Sequence, residues 1–100
     1  MDKKEMKEKK KIMLDLLLKA KKALENKEIE KSTNILDKEF APIHESIFGY
    51  ETNIYDLARN ALKYMQYEYM DVTKKFKELA EVSKKNIDKY INAIIKDIES

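Results

Sequence analysis

The chain contains no cysteine and no tryptophan, and it has a single glycine, proline, histidine and arginine among its 100 residues. Without cysteine it can form no disulfide, thiolate metal site or cysteine nucleophile. One glycine cannot supply the close backbone approach that phosphate-binding loops need, and no GxxxxGK[ST], GxGxxG or GxSxG motif occurs. These absences exclude several large classes of enzyme and of nucleotide site.

The remaining chemistry offers little for catalysis. His44-Glu45 begins like the HExxH motif of zinc proteases, but position 48 is phenylalanine, so the second ligand is missing. None of the possible pairs among the 19 acidic residues is singled out by an apolar setting. We therefore expect no enzymatic activity, catalytic residue, metal or cofactor, and we interpret His44 as a turn or helix-surface residue.

Charges of both signs are abundant and nearly balanced, at 21 Lys plus Arg against 19 Asp plus Glu. Such a balance gives no general attraction to nucleic acid or to anionic lipid. Lysines dominate residues 1–24 and acids dominate residues 25–56, which predicts that the first two helices pair through opposite charges. The strong preference for lysine over arginine is typical of an AT-rich microbe or its phage.

Two amphipathic helices are predicted in the first half of the chain. Over residues 2–25, apolar side chains recur at helical spacing, at Met6, Met13, Leu17, Ala20 and Leu24. A second set over residues 28–48 comprises Ile29, Thr33, Leu36, Phe40, Ile43 and Ile47. We expect Asn26 to cap this second helix. We also expect Pro42 to kink it, because a proline ring disturbs a helix interior.

The second half of the chain has no glycine or proline after Gly49, which is expected to end the second helix. Thr52 or Asn53 can cap the next helix, and its apolar pattern continues to Ile98. Because a helix over residues 52–98 would be unusually long, we expect a break near residues 71–73 or 83–86. The resulting prediction is a single all-α domain over residues 1–100, an antiparallel bundle of three or four helices.

One apolar stretch near the N-terminus resembles part of a signal peptide. Lysines precede it, but Asp15 and Lys19 interrupt the apolar run. No other segment approaches the length of about 18 apolar residues that a membrane span needs. We therefore expect a cytoplasmic protein with no membrane partner.

The segment KYMQYEYM, residues 63–70, is the candidate binding surface. Met65 and Tyr69 continue the apolar stripe and are predicted to lie in the core. Tyr64, Tyr67 and Met70 fall outside the stripe. Tyrosine and methionine are enriched in protein interfaces, so the predicted partner-binding residues are Tyr64, Tyr67, Met70, Lys63 and Arg59.

Three functional hypotheses follow. The leading one is a small non-enzymatic module that binds a protein partner, such as an inhibitor, an immunity protein or an antitoxin-like protein. Residues 20–28, with Ala41-Pro42-Ile43, resemble small helical bacteriocin-immunity proteins, and we assign no family from them. The first alternative is a coiled-coil or helical-hairpin protein that self-assembles, with a homodimer as its simplest form. The second is a nucleic-acid-binding accessory protein that uses its basic first helix.

Overall fold

Four helices make up the computed structural model, which describes residues 1–100 and contains no strand. They are α1 (Lys3–Glu25), α2 (residues 29–48), α3 (Ile54–Met65) and α4 (Lys74–Glu99). The predicted all-α helical bundle is thereby confirmed. None of these helices has a stretch that is both long and apolar enough to cross a membrane.

The helices form an up-down-up-down bundle around one core. Side-chain contacts between neighbouring helices run in opposite directions along the two partners: Lys9 to Ser46 and Ala20 to Ser32 between α1 and α2, Thr33 to Gln66 and Asp37 to Arg59 between α2 and α3, and Lys10 to Asp97 and Lys21 to Asp88 between α1 and α4. All four helices contribute to a core of 17 buried residues, among them Leu17, Leu36, Leu62 and Ile94.

The charge pairing expected between α1 and α2 is not observed. The two long-range ion pairs of α1 both reach α4, at 2.9 Å for Lys10–Asp97 and 3.0 Å for Lys21–Asp88. Between α1 and α2 the buried Ser32 hydroxyl donates instead to the carbonyl oxygen of Ala20, at 2.9 Å. The prediction was wrong because net charge per segment does not specify which face of a helix carries the charges.

The end of α1 is set by the backbone conformation of one lysine. Lys27 has a φ of 62°, and around it the Lys27 N–H donates to Leu24 O and the Glu28 N–H to Ala23 O. These two bonds form a Schellman motif, the usual way in which a helix satisfies its last carbonyl groups. Asn26, predicted to cap α2, therefore closes α1 instead.

Pro42 is accommodated by a change of helix type. α2 comprises α-helical turns at Ile29–Asn34, a π-helical segment at Ile35–Phe40 and further α-helical turns at Ala41–Phe48. The Ala41 N–H donates to Leu36 O, five residues back. Because proline has no N–H and its ring crowds the carbonyl four residues earlier, a wider turn relieves the conflict that we expected to kink the helix.

Two predicted boundaries in the second half are confirmed. Gly49 ends α2 with a φ of 62°, and Asn53 caps α3 by accepting from the backbone N–H groups of Tyr55 and Asp56. After α3 the chain forms a 3₁₀ turn at Gln66–Tyr69, and α4 begins at Lys74. The break predicted near residues 71–73 is therefore present, whereas residues 83–86 lie inside α4.

Candidate protein-binding surface

Four of the five predicted partner-binding residues fall on two different sides of α3 and its 3₁₀ extension, and Met70 follows in the connection to α4. Arg59 and Lys63 face α2, where both approach Oδ1 of Asp37, at 2.7 Å and 2.8 Å. The pKa of Asp37 lies below its usual value, chiefly because Lys63 donates a hydrogen bond to the carboxylate. The charge of Lys63 and the hydrogen bond and charge of Arg59 lower this pKa further, whereas partial burial acts in the opposite direction. These two cations are thus engaged within the chain.

Tyr64 and Tyr67 lie on the opposite side, where they meet α4. The ring centroids of Tyr64 and Tyr67 are 6.1 Å apart, and those of Tyr67 and Phe76 are 4.9 Å apart. We call these three residues the aromatic cluster. Tyr64 and Phe76 are 40% and 39% exposed, while Tyr67, held between them, is half-buried. Met70, in the connection to α4, is also exposed.

A groove continues from the aromatic cluster along the line where α3 and α4 meet. It encloses about 250 Å³, and apolar side chains predominate along it: Leu57, Ala61 and Tyr64 from α3, and Leu79, Val82 and Tyr90 from α4. Asn60, Ser83 and Asn86 supply its polar groups. We call it the α3–α4 groove. Because Tyr64 belongs to both features, the groove and the aromatic cluster form one continuous surface.

Some of this surface was not found from the sequence. Phe76 belongs to the apolar pattern that was predicted to continue to Ile98, yet it is 39% exposed, and Leu57 and Val82 were not selected. Leu57 and Val82 both lie off the apolar stripe of their own helices. A large apolar residue in such a position is a signal from which they could have been identified. Leu57 follows the same logic as Tyr64, since it is an apolar residue that the core of α3 does not use.

The prediction that Tyr69 lies in the core is wrong, although Met65 is buried as predicted. The α-helical turns end at Met65, and the 3₁₀ turn that follows advances about 120° per residue in place of 100°. Gln66 consequently points inward and accepts a hydrogen bond from Thr33 at 3.0 Å. Tyr69 is turned outward and is 39% exposed.

His44 is buried, contrary to the expected position on a turn or helix surface. Its ring lies between those of Phe40 and Phe48, at centroid distances of 5.9 Å and 5.1 Å. Nε2 lies 3.1 Å from Oδ1 of Asn53. That oxygen already accepts two backbone N–H groups at the start of α3, so Nε2 carries the proton and donates to it. His44 thus supports the cap of α3.

No group of three or more histidine or acidic side chains comes together in a way that could hold a metal ion. The chain matches no protein-family model, no curated protein and no solved structure. Function is therefore inferred from the geometry of the chain itself.

Proposed function

We propose that the chain is a small non-enzymatic module that binds another protein through the α3–α4 groove and the aromatic cluster. The observation that carries the proposal is the continuity of exposed apolar side chains along the groove and the aromatic cluster: Leu57, Tyr64, Phe76 and Val82. Large contiguous apolar patches on the surface of soluble proteins mark interaction sites. Aromatic and methionine side chains at the centre of such a patch are typical anchors in protein interfaces.

The proposed role is that of an inhibitor, immunity protein or antitoxin-like protein of an AT-rich microbe or its phage, acting in the cytoplasm. Occupation of a site on a partner by a rigid helical surface is sufficient for each of these roles and requires no chemistry from the module. The side chains on which the proposal depends are placed by two helices that pack closely together. Such a surface is formed before the partner arrives, which reduces the entropy lost on binding.

The main physical reason for self-assembly, an uncovered apolar stripe on the last helix, is absent from the bundle. An unbroken helix over residues 52–98 would leave the apolar stripe of its second half uncovered and available to a second copy, but α4 begins only at Lys74. In the bundle Ile87, Ile91, Ile94 and Ile98 of that stripe are buried against the other helices. The nucleic-acid hypothesis is also weakened, because Lys10 and Lys21 of the basic first helix form ion pairs with α4. Protein binding through the exposed α3–α4 face is the function that the geometry supports best.

Affinity capture from cells that naturally express the chain tests this proposal with a matched pair of variants. Leu57→Asp/Val82→Asp places charge in the groove, whereas Ile12→Asp/Leu18→Asp changes two comparably exposed residues of α1 (48% and 42%, against 40% and 55%). We expect the wild type and the α1 variant to retain one specific partner and the groove variant to lose it. Circular dichroism verifies that all three proteins are folded.

Two results would count against the proposal. Retention of the partner by the groove variant would show that binding uses another surface. The absence of any specific partner for the folded wild type would reject a protein-binding function. A Tyr64→Ala/Tyr67→Ala variant tests the aromatic cluster in the same assay, and we expect it to weaken capture because central aromatic residues carry much of the binding energy of an interface.

A further inference from the structure

The α3–α4 groove has the length and shape that a helix requires. The part of α4 that lines the groove, from Leu79 to Tyr90, rises about 17 Å, or about three helical turns, and Phe76 of the aromatic cluster extends the surface by about one further turn. The groove lies between two antiparallel helices, and a third helix packs into such a depression with its apolar side chains at positions i, i+3, i+4 and i+7. Leu79 and Tyr90 are partly buried inside it, while Leu57 and Val82 are exposed along it.

Unpaired lysines follow the outer side of this groove. Lys75, Lys85 and Lys89 lie on the same row of α4 as Val82, at spacings of three and four residues. All three are exposed, and none takes part in an ion pair. Glu78 is the acid on that row, and Asp56 on the α3 side accepts a hydrogen bond from Asn60 of the groove. The three lysines outnumber these two acids, so positive charge predominates along the α4 side.

The beginning of α4 increases this excess. Its first turn contains Lys74, Lys75 and Lys77 and no acid, although the positive end of a helix dipole is stabilised by negative side chains. Lys84, by contrast, is paired with Glu68, and that hydrogen bond raises its pKa. The three lysines of the first turn thus destabilise the N-terminus of α4 unless a negative group lies close to it. They are next to Phe76 of the aromatic cluster in the sequence.

A second copy of the chain does not provide a suitable occupant. A two-fold axis across the groove would bring the lysine row of one copy against that of the other, which is unfavourable. An axis along the groove would set three lysines against the α3 side of the partner copy, where Asp56 is the acid beside the groove, so neither arrangement supplies an acidic flank. The acidic helix α2 has the opposite charge, but none of its large apolar side chains is exposed. Helix α1 exposes Ile12 and Leu18 but carries an excess of lysine. No helix of the chain combines an apolar face with acidic flanks.

We propose that the occupant of the α3–α4 groove is an amphipathic helix of another protein, with apolar anchors on one face and acidic residues on its flanks. This inference rests on the proposed protein-binding function and specifies the chemistry of the partner. An anionic membrane would satisfy the lysines equally well. It fits the shape less well, because Ala61, Leu79 and Tyr90 lie within a depression and cannot project into lipid.

Selection from a displayed peptide library tests the charge directly. The peptides are helical, about 18 residues long, with fixed apolar positions at i, i+3, i+4 and i+7 and flanking positions that are Glu, Lys or Gln in equal proportion. We expect the full-length wild-type protein to enrich peptides rich in Glu. The affinity of an enriched peptide should fall about tenfold or more for Val82→Asp. A similar fall is expected for Lys75→Glu/Lys85→Glu/Lys89→Glu, with little change for Lys4→Glu/Lys7→Glu/Lys11→Glu on α1.

Each other outcome overturns the inference. Enrichment of Lys-rich or Gln-rich peptides would reject the acidic flank, and enrichment of nothing, or of peptides that bind Val82→Asp equally well, would reject a helix in the groove. Sedimentation with phosphatidylserine vesicles that is abolished by Val82→Asp would assign the surface to membranes. If the library fails while the cellular partner is still lost from the groove variant, only the acidic helix is wrong. If both experiments fail, the proposed function is wrong as well.

Discussion

The two hairpins of the bundle, α1–α2 and α3–α4, use their apolar residues differently. In the first hairpin the large exposed apolar side chains are Met1, which precedes α1, and Ile12 and Leu18 within α1, whereas α2 exposes none. In the second hairpin and its connection, Leu57, Tyr64, Tyr69, Met70, Phe76 and Val82 are all exposed. Both hairpins contribute fully to the common core. The second hairpin therefore carries exposed apolar surface that the core does not use, and that excess is the basis of the proposal that it binds a partner.

The largest difference in stability is expected when one phenylalanine of each hairpin is replaced by alanine. Phe40 of α2 is fully buried, so Phe40→Ala should lower the free energy of unfolding by about 3–5 kcal/mol. Phe76 of α4 is 39% exposed, so Phe76→Ala should cost only about 1 kcal/mol and should weaken partner binding. Urea denaturation measures both. Equal losses of stability would show that the second hairpin has no surplus apolar surface.

A smaller effect is expected where the second hairpin meets the first. The Tyr55 hydroxyl donates to Asp97 at 2.6 Å, and Lys10 of α1 donates to the same oxygen at 2.9 Å. Tyr55→Phe should therefore lower the free energy of unfolding by about 1–2 kcal/mol. Tyr50→Phe is the matched control, since Tyr50 is 92% exposed and bonds only to Glu45. A loss as large for Tyr50→Phe would mean that the Tyr55–Asp97 hydrogen bond contributes no more than an exposed one.

The same contact predicts a pH dependence. The hydrogen bonds from Lys10 and then Tyr55 hold the pKa of Asp97 below its usual value. The carboxylate is thus favoured in the folded state, and its contribution to stability is present at neutral pH and lost as the pH falls through the lowered pKa. Asp97→Asn should flatten the acid limb of a stability–pH profile, whereas Glu99→Gln should leave it unchanged. An identical acid limb for Asp97→Asn and wild type would contradict this contact.

A gain in stability is expected at the turn of the first hairpin. Lys27 has a φ of 62°, which costs energy for a residue with a Cβ atom. Lys27→Gly should raise the free energy of unfolding by about 0.5–1 kcal/mol, because glycine is preferred at this position of a Schellman motif. Lys11→Gly, inside α1, should lower it by about 1 kcal/mol. Destabilisation by Lys27→Gly would show that the lysine side chain makes a contact that offsets its backbone strain.

The smallest effect on stability is expected in the groove itself. Val82 is 55% exposed, and Val82→Asp should change the free energy of unfolding by less than about 0.5 kcal/mol. Its effect on binding should be large, because a carboxylate would be buried beneath the partner without a pairing group. Thermal denaturation followed by circular dichroism measures the first quantity. A large loss of stability would place Val82 in the core and remove it from the surplus of the second hairpin.

Local signals in the sequence predicted much of the fold. Gly49 and Asn53 mark boundaries because their backbone and side-chain preferences act within a few residues, and the apolar period identified the buried isoleucines of α4. The π-helical segment before Pro42 was not predicted, because proline indicates a disturbance but not how the chain resolves it. Asn26 was misjudged as the cap of α2, because the backbone conformation of Lys27 decides where α1 ends.

The exposure of the candidate residues was predicted in part. Tyr64 and Met70 were correctly separated from the core, since neither follows the apolar stripe. The ion pairs that Arg59 and Lys63 of α3 form with Asp37 could not be predicted from sequence, because Asp37 lies on a different helix, α2. Burial of His44 and exposure of Phe76 likewise depend on how the helices pack against one another, which helical periodicity alone does not specify.

Photo-crosslinking measures most directly whether the second hairpin is the binding surface. p-Benzoylphenylalanine is placed at position 82, in the groove, or at position 12, on α1, which are exposed to a similar degree in the wild type (55% and 48%). Irradiation in cells that naturally express the chain should yield one discrete crosslinked partner from position 82 and none from position 12. The same crosslink from both positions, or from position 12 alone, would contradict the claim that the second hairpin, and not the first, binds the partner.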